Sequence, residues 1–207
     1  FAGTRGGRVL DFDLGGDATQ PSFVQATNVP ITALAMLNGG HSLLLGDEVG
    51  QVSIWLRART GTTTELVRAR SFAPHHAAVS GFAPSARDRS FVSWDREGEI
   101  ALRHGTSGAT RLTTKYADAP PTRLLFGPKG DGLLLADASG ALTRFTLDNP
   151  HPELSLGVLL GKVRYEGSRD PAYVWQSTGA SDDYEPKLSL VPLLFGTLKG
   201  TAYALLF

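Results

Sequence analysis

The chain has 207 residues, 42% of them hydrophobic, and its 20 lysines and arginines balance 20 aspartates and glutamates. That length and apolar content suit one folded domain with an appendage, and the charge balance leaves no whole-chain field to draw in nucleic acid or an anionic surface. There is no cysteine, so disulfides and thiolate metal sites are excluded and the redox compartment stays unassigned.

The sequence opens at Phe1 without an initiator methionine, a basic n-region or a signal-type apolar stretch, and we expect further sequence upstream in the parent protein. From Phe1 to about Gly157 it repeats. The clearest copies are "ITALAMLNGGHSLLLGDEVGQVSIWLR", "AAVSGFAPSARDRSFVSWDREGEIALRH" and "PTRLLFGPKGDGLLLADASGALTRFTL". In each, an apolar strand leads through a Gly/Pro/Asn/Ser turn to a second apolar strand, then an acidic, glycine-containing tight turn, then an alternating third strand. Gly50, Gly98 and Gly140 mark those tight turns, and Gly7 takes the same place in an incomplete first copy. Roughly 40 to 50 residues separate them, the length of one four-stranded propeller blade.

The alternation rules out helix. Val52, Ile54 and Leu56 share one face of a strand, with Ser53 and Trp55 on the other; Ile100 and Leu102 repeat the phase, as does Leu142, while Phe145 reads as the start of a shifted register. Polar outer strands are expected at "TELVRARSF", "ATRLTTKY" and "PELSLGV". Asp47, Asp95 and Asp137 stand just before the tight turns, where a carboxylate caps backbone N–H groups. The copies resemble WD-repeat blades, although the histidine and Trp-Asp dipeptide of that pattern are absent or displaced, with Trp94-Asp95 one strand early. Three copies and part of a fourth do not close a ring. We expect the missing blades before Phe1, and a partner chain, a domain swap or a symmetric dimer over the open blade faces of the isolated piece.

Catalytic and metal-binding patterns are not evident. His75 and His76 are adjacent, which sends their side chains to opposite faces of an extended segment, and His41, His104 and His151 fall at turns or strand ends, where a surface position is expected. A propeller hydrolase would need a convergent carboxylate pair, and "SWDREGEI" has the wrong spacing for the Asp turn such enzymes repeat. Arg5, Arg8, Arg57, Arg59, Arg68 and Arg70 read as a solvated strand edge before a phosphate-binding stripe. No Walker-type loop is present, so ATP hydrolysis is not expected of this chain, and no cofactor is implied.

After the repeats, residues 159–187 carry glycine, proline and mixed charge with little periodicity and read as a tether. Tyr165, Tyr173, Trp175 and Tyr184 are dense for a linker, and pin it to the propeller or to a membrane interface. The acidic run Asp182, Asp183 and Glu185 reads as a solvated helix entrance, with the helix starting at "LSLVP" or just after Pro192. From Leu188 to Phe207 the only charge is Lys199, which would snorkel if a membrane span starts here, and Gly196 and Gly200 form a small-xxx-small spacing.

The stretch "YVWQSTGASDDYEPKLSLVPLLFGTLKG", within a match running from about Gly161 to Phe207, resembles the junction before a membrane helix in large permease subunits of bacterial phosphate ABC importers of the Pst type, and the preceding repeats resemble the propeller insert of those permeases. The resemblance implies an all-β partial propeller at residues 1–158 and the start of a transmembrane helix at 188–207. It also implies an inner-membrane location with a periplasmic propeller, a second permease subunit, a separate ATPase subunit and a periplasmic phosphate-binding protein as partners, and inorganic phosphate uptake as the process served. Tyr173, Trp175, Tyr184 and Lys199 become candidate contacts to the membrane interface or a partner. The competing reading is a WD-like interaction scaffold with no transport role, and a propeller hydrolase stands third.

Overall fold

The computed structural model describes residues 1–12, 21–60, 63–116, 120–148, 150–179 and 184–206. Four antiparallel sheets follow one another along the chain. The first holds β1 (Ala2–Gly3), β2 (Arg8–Asp11) and β3 (Ser22–Gln25); the second β4 (Ile31–Met36), β5 (Ser42–Asp47), β6 (Val52–Thr60) and β7 (Thr63–Ser71). The third holds β8 (Val79–Pro84), β9 (Ser90–Asp95), β10 (Glu99–His104) and β11 (Thr110–Lys115); the fourth β12 (Pro121–Phe126), β13 (Gly132–Asp137) and β14 (Leu142–Thr146). Each sheet is a meander in which every strand pairs with its sequence neighbour. Gly7, Gly50, Gly98 and Gly140 have φ between 75° and 87°, the left-handed conformation that a residue with a Cβ adopts only at a cost.

Core residues sit between the sheets. Val9 of the first packs with Leu43, Leu45 and Trp55 of the second. On the opposite face of the second, Leu44, Val52, Ile54 and Leu56 meet Val79 and Phe91 of the third. Val92, Ile100 and Leu102 then meet Leu124, Leu133 and Leu135 of the fourth. Period-two alternation thus gives each sheet a face toward its predecessor and a face toward its successor. The described residues form a partial β-propeller, with no closed ring.

Several expectations need correction. "PELSLGV" is not an outer strand: Ser155 caps α1 (Leu156–Leu160), accepting from Val158 N, and the fourth sheet has three strands. This helix also crosses the expected boundary at residue 158. Phe145 starts no shifted register, because β13 and β14 pair without a break and its ring meets Tyr116 edge-on at 6.5 Å. The expected tether has a core of its own, in which Val158, Val163 and Tyr165 pack with Val174 and Leu188 under a hairpin of β15 (Trp175–Gln176) and β16 (Lys187–Leu188). Asp182 and Asp183 lie outside the described residues. The terminal helix α2 spans Val191–Leu206, so it starts within "LSLVP" as read from the sequence, with Pro192 in its first turn and three residues after the expected segment boundary at Leu188. It buries none of its residues, and no helix of the described residues is long and apolar enough to cross a membrane.

Candidate functional site

Two places in the fold gather polar chemistry, and the first lies between the second and third sheets. Asp95 ends β9 and turns its carboxylate back on its own tight turn, where Oδ1 accepts from Glu97 N and Glu99 N at 2.9 Å each. Its Oδ2 accepts from Ala77 N at 3.1 Å and so ties the turn to the incoming connection. Asp47 caps Val49 N and Gln51 N while accepting from Thr27, and Asp137 caps Ser139 N and Ala141 N with Tyr116 nearby. The turn-capping role read from the sequence is therefore seen at all three aspartates. For Asp137 the Ser139 hydroxyl and the N–H groups hold the carboxyl below its ordinary range.

Around Asp95 the structure collects what linear spacing concealed. His75 is 4% exposed, its Nε2 lies 2.8 Å from Ser93 Oγ and its Nδ1 lies 3.1 Å from Glu99 Oε1. His76 is exposed, yet its Nδ1 contacts the other oxygen of the same carboxylate. Adjacent histidines thus share Glu99 because the connection between sheets is bent rather than extended. His75, Asp95 and Glu99 hold potential ligand atoms within 4.8 Å of one another, the one such group among the described residues. His75 Nδ1 is buried without a hydrogen-bond partner, and Arg103 brings a cation to the same layer, buried with Nη2 donating to Ala73 O at 2.7 Å and with Nε and Nη1 unpartnered. Desolvation pushes Arg103 down to about 10, with Glu99 opposing. Burial, then the Arg103 charge, pushes His75 down; hydrogen bonding to Glu99 pushes His76 up. Charges of both signs and a buried imidazole thus meet in one layer between the second and third sheets.

His104 corrects the surface expectation. It closes β10 at 2% exposure, its Nδ1 accepts from Ser107 N at 3.1 Å, and burial pushes its pKa down to about 4. Arg70 is likewise no solvated edge residue, since its Nη2 donates to Thr106 O at 2.7 Å in a part-buried setting; Arg5, Arg8, Arg57 and Arg68 are exposed.

The second place is a concavity of about 650 Å³ running across the first strands of three successive sheets, β4, β8 and β12. Thr32, Ser80, Trp94, Thr122, Arg123 and Phe126 line it. Trp94 reaches this wall because β8 carries Gly81 opposite it, where a Cβ would stand 2.4 Å from the indole. Its Nε1 is buried without a hydrogen-bond partner.

The residues singled out in the sequence fall elsewhere. Tyr173 and Trp175 are each 41% exposed, with Lys162 Nζ 5.5 Å from the Tyr173 ring. Tyr184 is half-buried and donates to Gln176 O, so it shares the β15–β16 hairpin with Trp175. Lys199 is on α2, with Nζ 5.6 Å from the Tyr203 ring. Sequence reasoning missed His75, Glu99, Arg103 and the ion pair that Arg89 of the third sheet's first turn forms with Glu166 of the segment after the sheets. The available signal was the buried-strand context of Arg103, a charge two residues along from Ala101 on an alternating face.

No family model and no curated protein matches this chain. Among solved structures, it is similar to the β-propeller domain of Cps50 (Swd1) from Myceliophteria thermophila, at 13% identity and TM-score 0.60, covering 70% of this chain and 46% of that one. A chain of a mitotic checkpoint complex matches at 14% identity and TM-score 0.55, with 70% and 46% covered. The computationally designed protein Ika8 matches at 18% identity and TM-score 0.54, with 70% and 41% covered. The chain therefore spans less than half the length of these matched chains, and the likeness establishes a β-propeller fold.

Proposed function

We propose that this chain is a protein-docking propeller without catalytic chemistry of its own, and that a partner's extended segment binds along the concavity of β4, β8 and β12. The observation that carries this reading is a contrast within the molecule. Asp47, Asp95 and Asp137 are held in turn caps and His75 and Glu99 in an inter-sheet layer, whereas the inner-strand wall presents exposed Ser80, Thr122 and Arg123 beside apolar Phe126. A photo-crosslinking residue at Thr122, compared with one at Thr113 on the outer strand β11, tests it in cells. Crosslinks to a defined protein from position 122 alone support the reading; identical patterns from both positions overturn it.

A second reading is favoured by α2. A largely apolar helix of 16 residues, with Lys199 its one charge, that buries none of them calls for an apolar environment from outside. Under the resemblance to phosphate importer permeases, that environment is the bacterial inner membrane, and the propeller is a periplasmic platform for the phosphate-binding protein beside the second permease subunit and the ATPase subunit. The helix is about 24 Å long, short of the roughly 30 Å hydrocarbon core, so α2 by itself would be an entrance to a span. Calorimetric titration with inorganic phosphate and, separately, with a phosphate-binding protein tests this. Binding of the protein without the ion supports a platform, and binding of neither removes the support for this reading.

A further inference from the structure

The connection from β7 to β8 is clamped on both sides. His75 N donates to Gly50 O in the second sheet's tight turn at 2.9 Å, Ala77 N to the Asp95 carboxylate at 3.1 Å, and Arg96 N to Ala78 O at 3.0 Å. Between these clamps the backbone bends so that two Nδ1 atoms arrive at one carboxylate, His75 at Glu99 Oε1, 3.1 Å away, and His76 at Glu99 Oε2. Glu99 is fixed as well, because it opens β10 and its N–H donates to Asp95 Oδ1 at 2.9 Å. Neighbouring side chains that an extended backbone would send apart are thus preorganised on a single acceptor.

At His75 this contact is not a hydrogen bond. The side chain is 0% exposed, Nδ1 has no hydrogen-bond partner, and Nε2 already faces Ser93 Oγ at 2.8 Å. An Nε2–H that donates to Ser93 leaves the Nδ1 lone pair beside a carboxylate oxygen, an arrangement that repels unless a cation joins the two. Two donors bound to one small cation at roughly 2.0–2.1 Å stand about 3 Å apart, with their lone pairs aimed at the ion and not at each other. His75 Nδ1 and Glu99 Oε1 have that spacing.

We propose that His75 Nδ1, His76 Nδ1 and Glu99 bind a divalent transition-metal ion of the zinc type, which staples the β7–β8 connection to β10. Two imidazoles and a carboxylate are a donor set that such ions take, whereas magnesium and calcium prefer oxygen alone. Asp95 holds a potential ligand atom within 4.8 Å of those of His75 and Glu99 and stands as the fourth donor. Its carboxylate and that of Glu99, against the one guanidinium of Arg103, give the layer a net negative charge before the ion enters. Burial keeps His75 in the neutral form that coordinates metal, and His76, with its side chain 85% exposed, gives the ion a way in. The ion adds a cross-link and no reaction, so the site stands whatever partner the inner-strand wall holds.

Calorimetric titration of the chelator-treated full chain with zinc chloride tests the site, in a mild maltoside detergent that covers α2. One equivalent of zinc per chain is expected, with a rise in unfolding temperature that magnesium does not reproduce. The imidazole Nδ1 resonances of His75 and His76 should shift together on zinc addition. His76→Ala changes only an exposed side chain and Glu99→Gln keeps the size of the ligand. Each should retain wild-type circular dichroism and weaken zinc binding by about tenfold or more, at least the loss that removal of an outer-shell partner causes. His151→Ala, at another exposed histidine beside a carboxylate, should bind as the wild type does. Absence of saturable binding at micromolar zinc overturns the proposal, as does binding that either His76→Ala or Glu99→Gln leaves unchanged, or that His151→Ala weakens equally.

Discussion

Arg89 and Glu166 stand 77 residues apart in sequence and form a bidentate ion pair, with side chains only 6% and 16% exposed. Ser42 shares the carboxylate, Glu166 N donates to Glu185 at 3.2 Å, and Gly167 bridges to Ala58 of β6. The segment after the propeller is therefore fastened across the second and third sheets. Removing one partner from a buried pair leaves the other charge uncompensated, at a cost of about 3–5 kcal/mol. Glu166→Gln should lower unfolding stability in urea toward that range and make residues 166–179 more susceptible to limited proteolysis. Replacing both partners with methionine should recover much of the loss; equal destabilisation by the single and double changes would refute the ionic account.

Gly50 and Gly140 separate backbone conformation from packing. Both have left-handed φ, 83° and 86°, so alanine costs about 1–2 kcal/mol of conformational strain at either. At Gly50 the added Cβ would also lie 2.3 Å from His75 O, whereas at Gly140 nothing lies within 4 Å. Gly50→Ala should destabilise by clearly more than Gly140→Ala in parallel urea titrations. Equal losses would mean that the connection at His75 yields freely.

The repeat, the strand phase, the tight-turn glycines and the capping aspartates were legible because each is a local pattern whose residues lie within one sheet. What the sequence concealed depends on distance along the chain. His75 meets Ser93 and Glu99 only because the connection between sheets lays it over the next blade, and Arg89 finds Glu166 through a segment that alternates too little to be read. "PELSLGV" failed for a different reason: a short apolar run does not distinguish a strand from a helical turn, and Ser155 capping Val158 N decided it.

Asp95 holds three backbone N–H groups, so Asp95→Ala orphans more than a turn. Hydrogen bonds to a charged acceptor contribute about 1.5–3 kcal/mol each when buried, and a total loss on the order of 3 kcal/mol is expected after solvent and relaxation recover part of it. Asp95→Asn keeps Oδ1 for Glu97 N and Glu99 N and loses the acceptor facing Ala77 N, so its cost should be about a third of that for alanine. Thermal unfolding of the three proteins checks the order, and an asparagine variant as unstable as alanine would show that charge, rather than hydrogen-bond geometry, carries the effect.

His104 supplies a pH dependence whose sign is fixed by its burial. Its folded pKa is depressed to about 4 from an ordinary value near 6.5, chiefly by desolvation, with Asp88 and Glu153 opposing and Arg111 and Arg89 reinforcing. Above pH 6.5 the imidazole is neutral in both folded and unfolded chains, and its burial carries no proton penalty. Between about 6.5 and 4 the unfolded chain binds a proton that the folded chain refuses, so stability falls as pH falls through that window, by about 3 kcal/mol in total. Burial depresses His75 as well and adds in the same direction, while exposed His76 is raised and works against it. Urea unfolding at pH 7.5, 6.0 and 5.0 of the wild type and of His104→Gln isolates the contribution, since the carboxylates titrate alike in both. The variant should lose stability at pH 7.5 and show a shallower decline toward pH 5.0; parallel profiles would mean that His104 takes up its proton without leaving the fold.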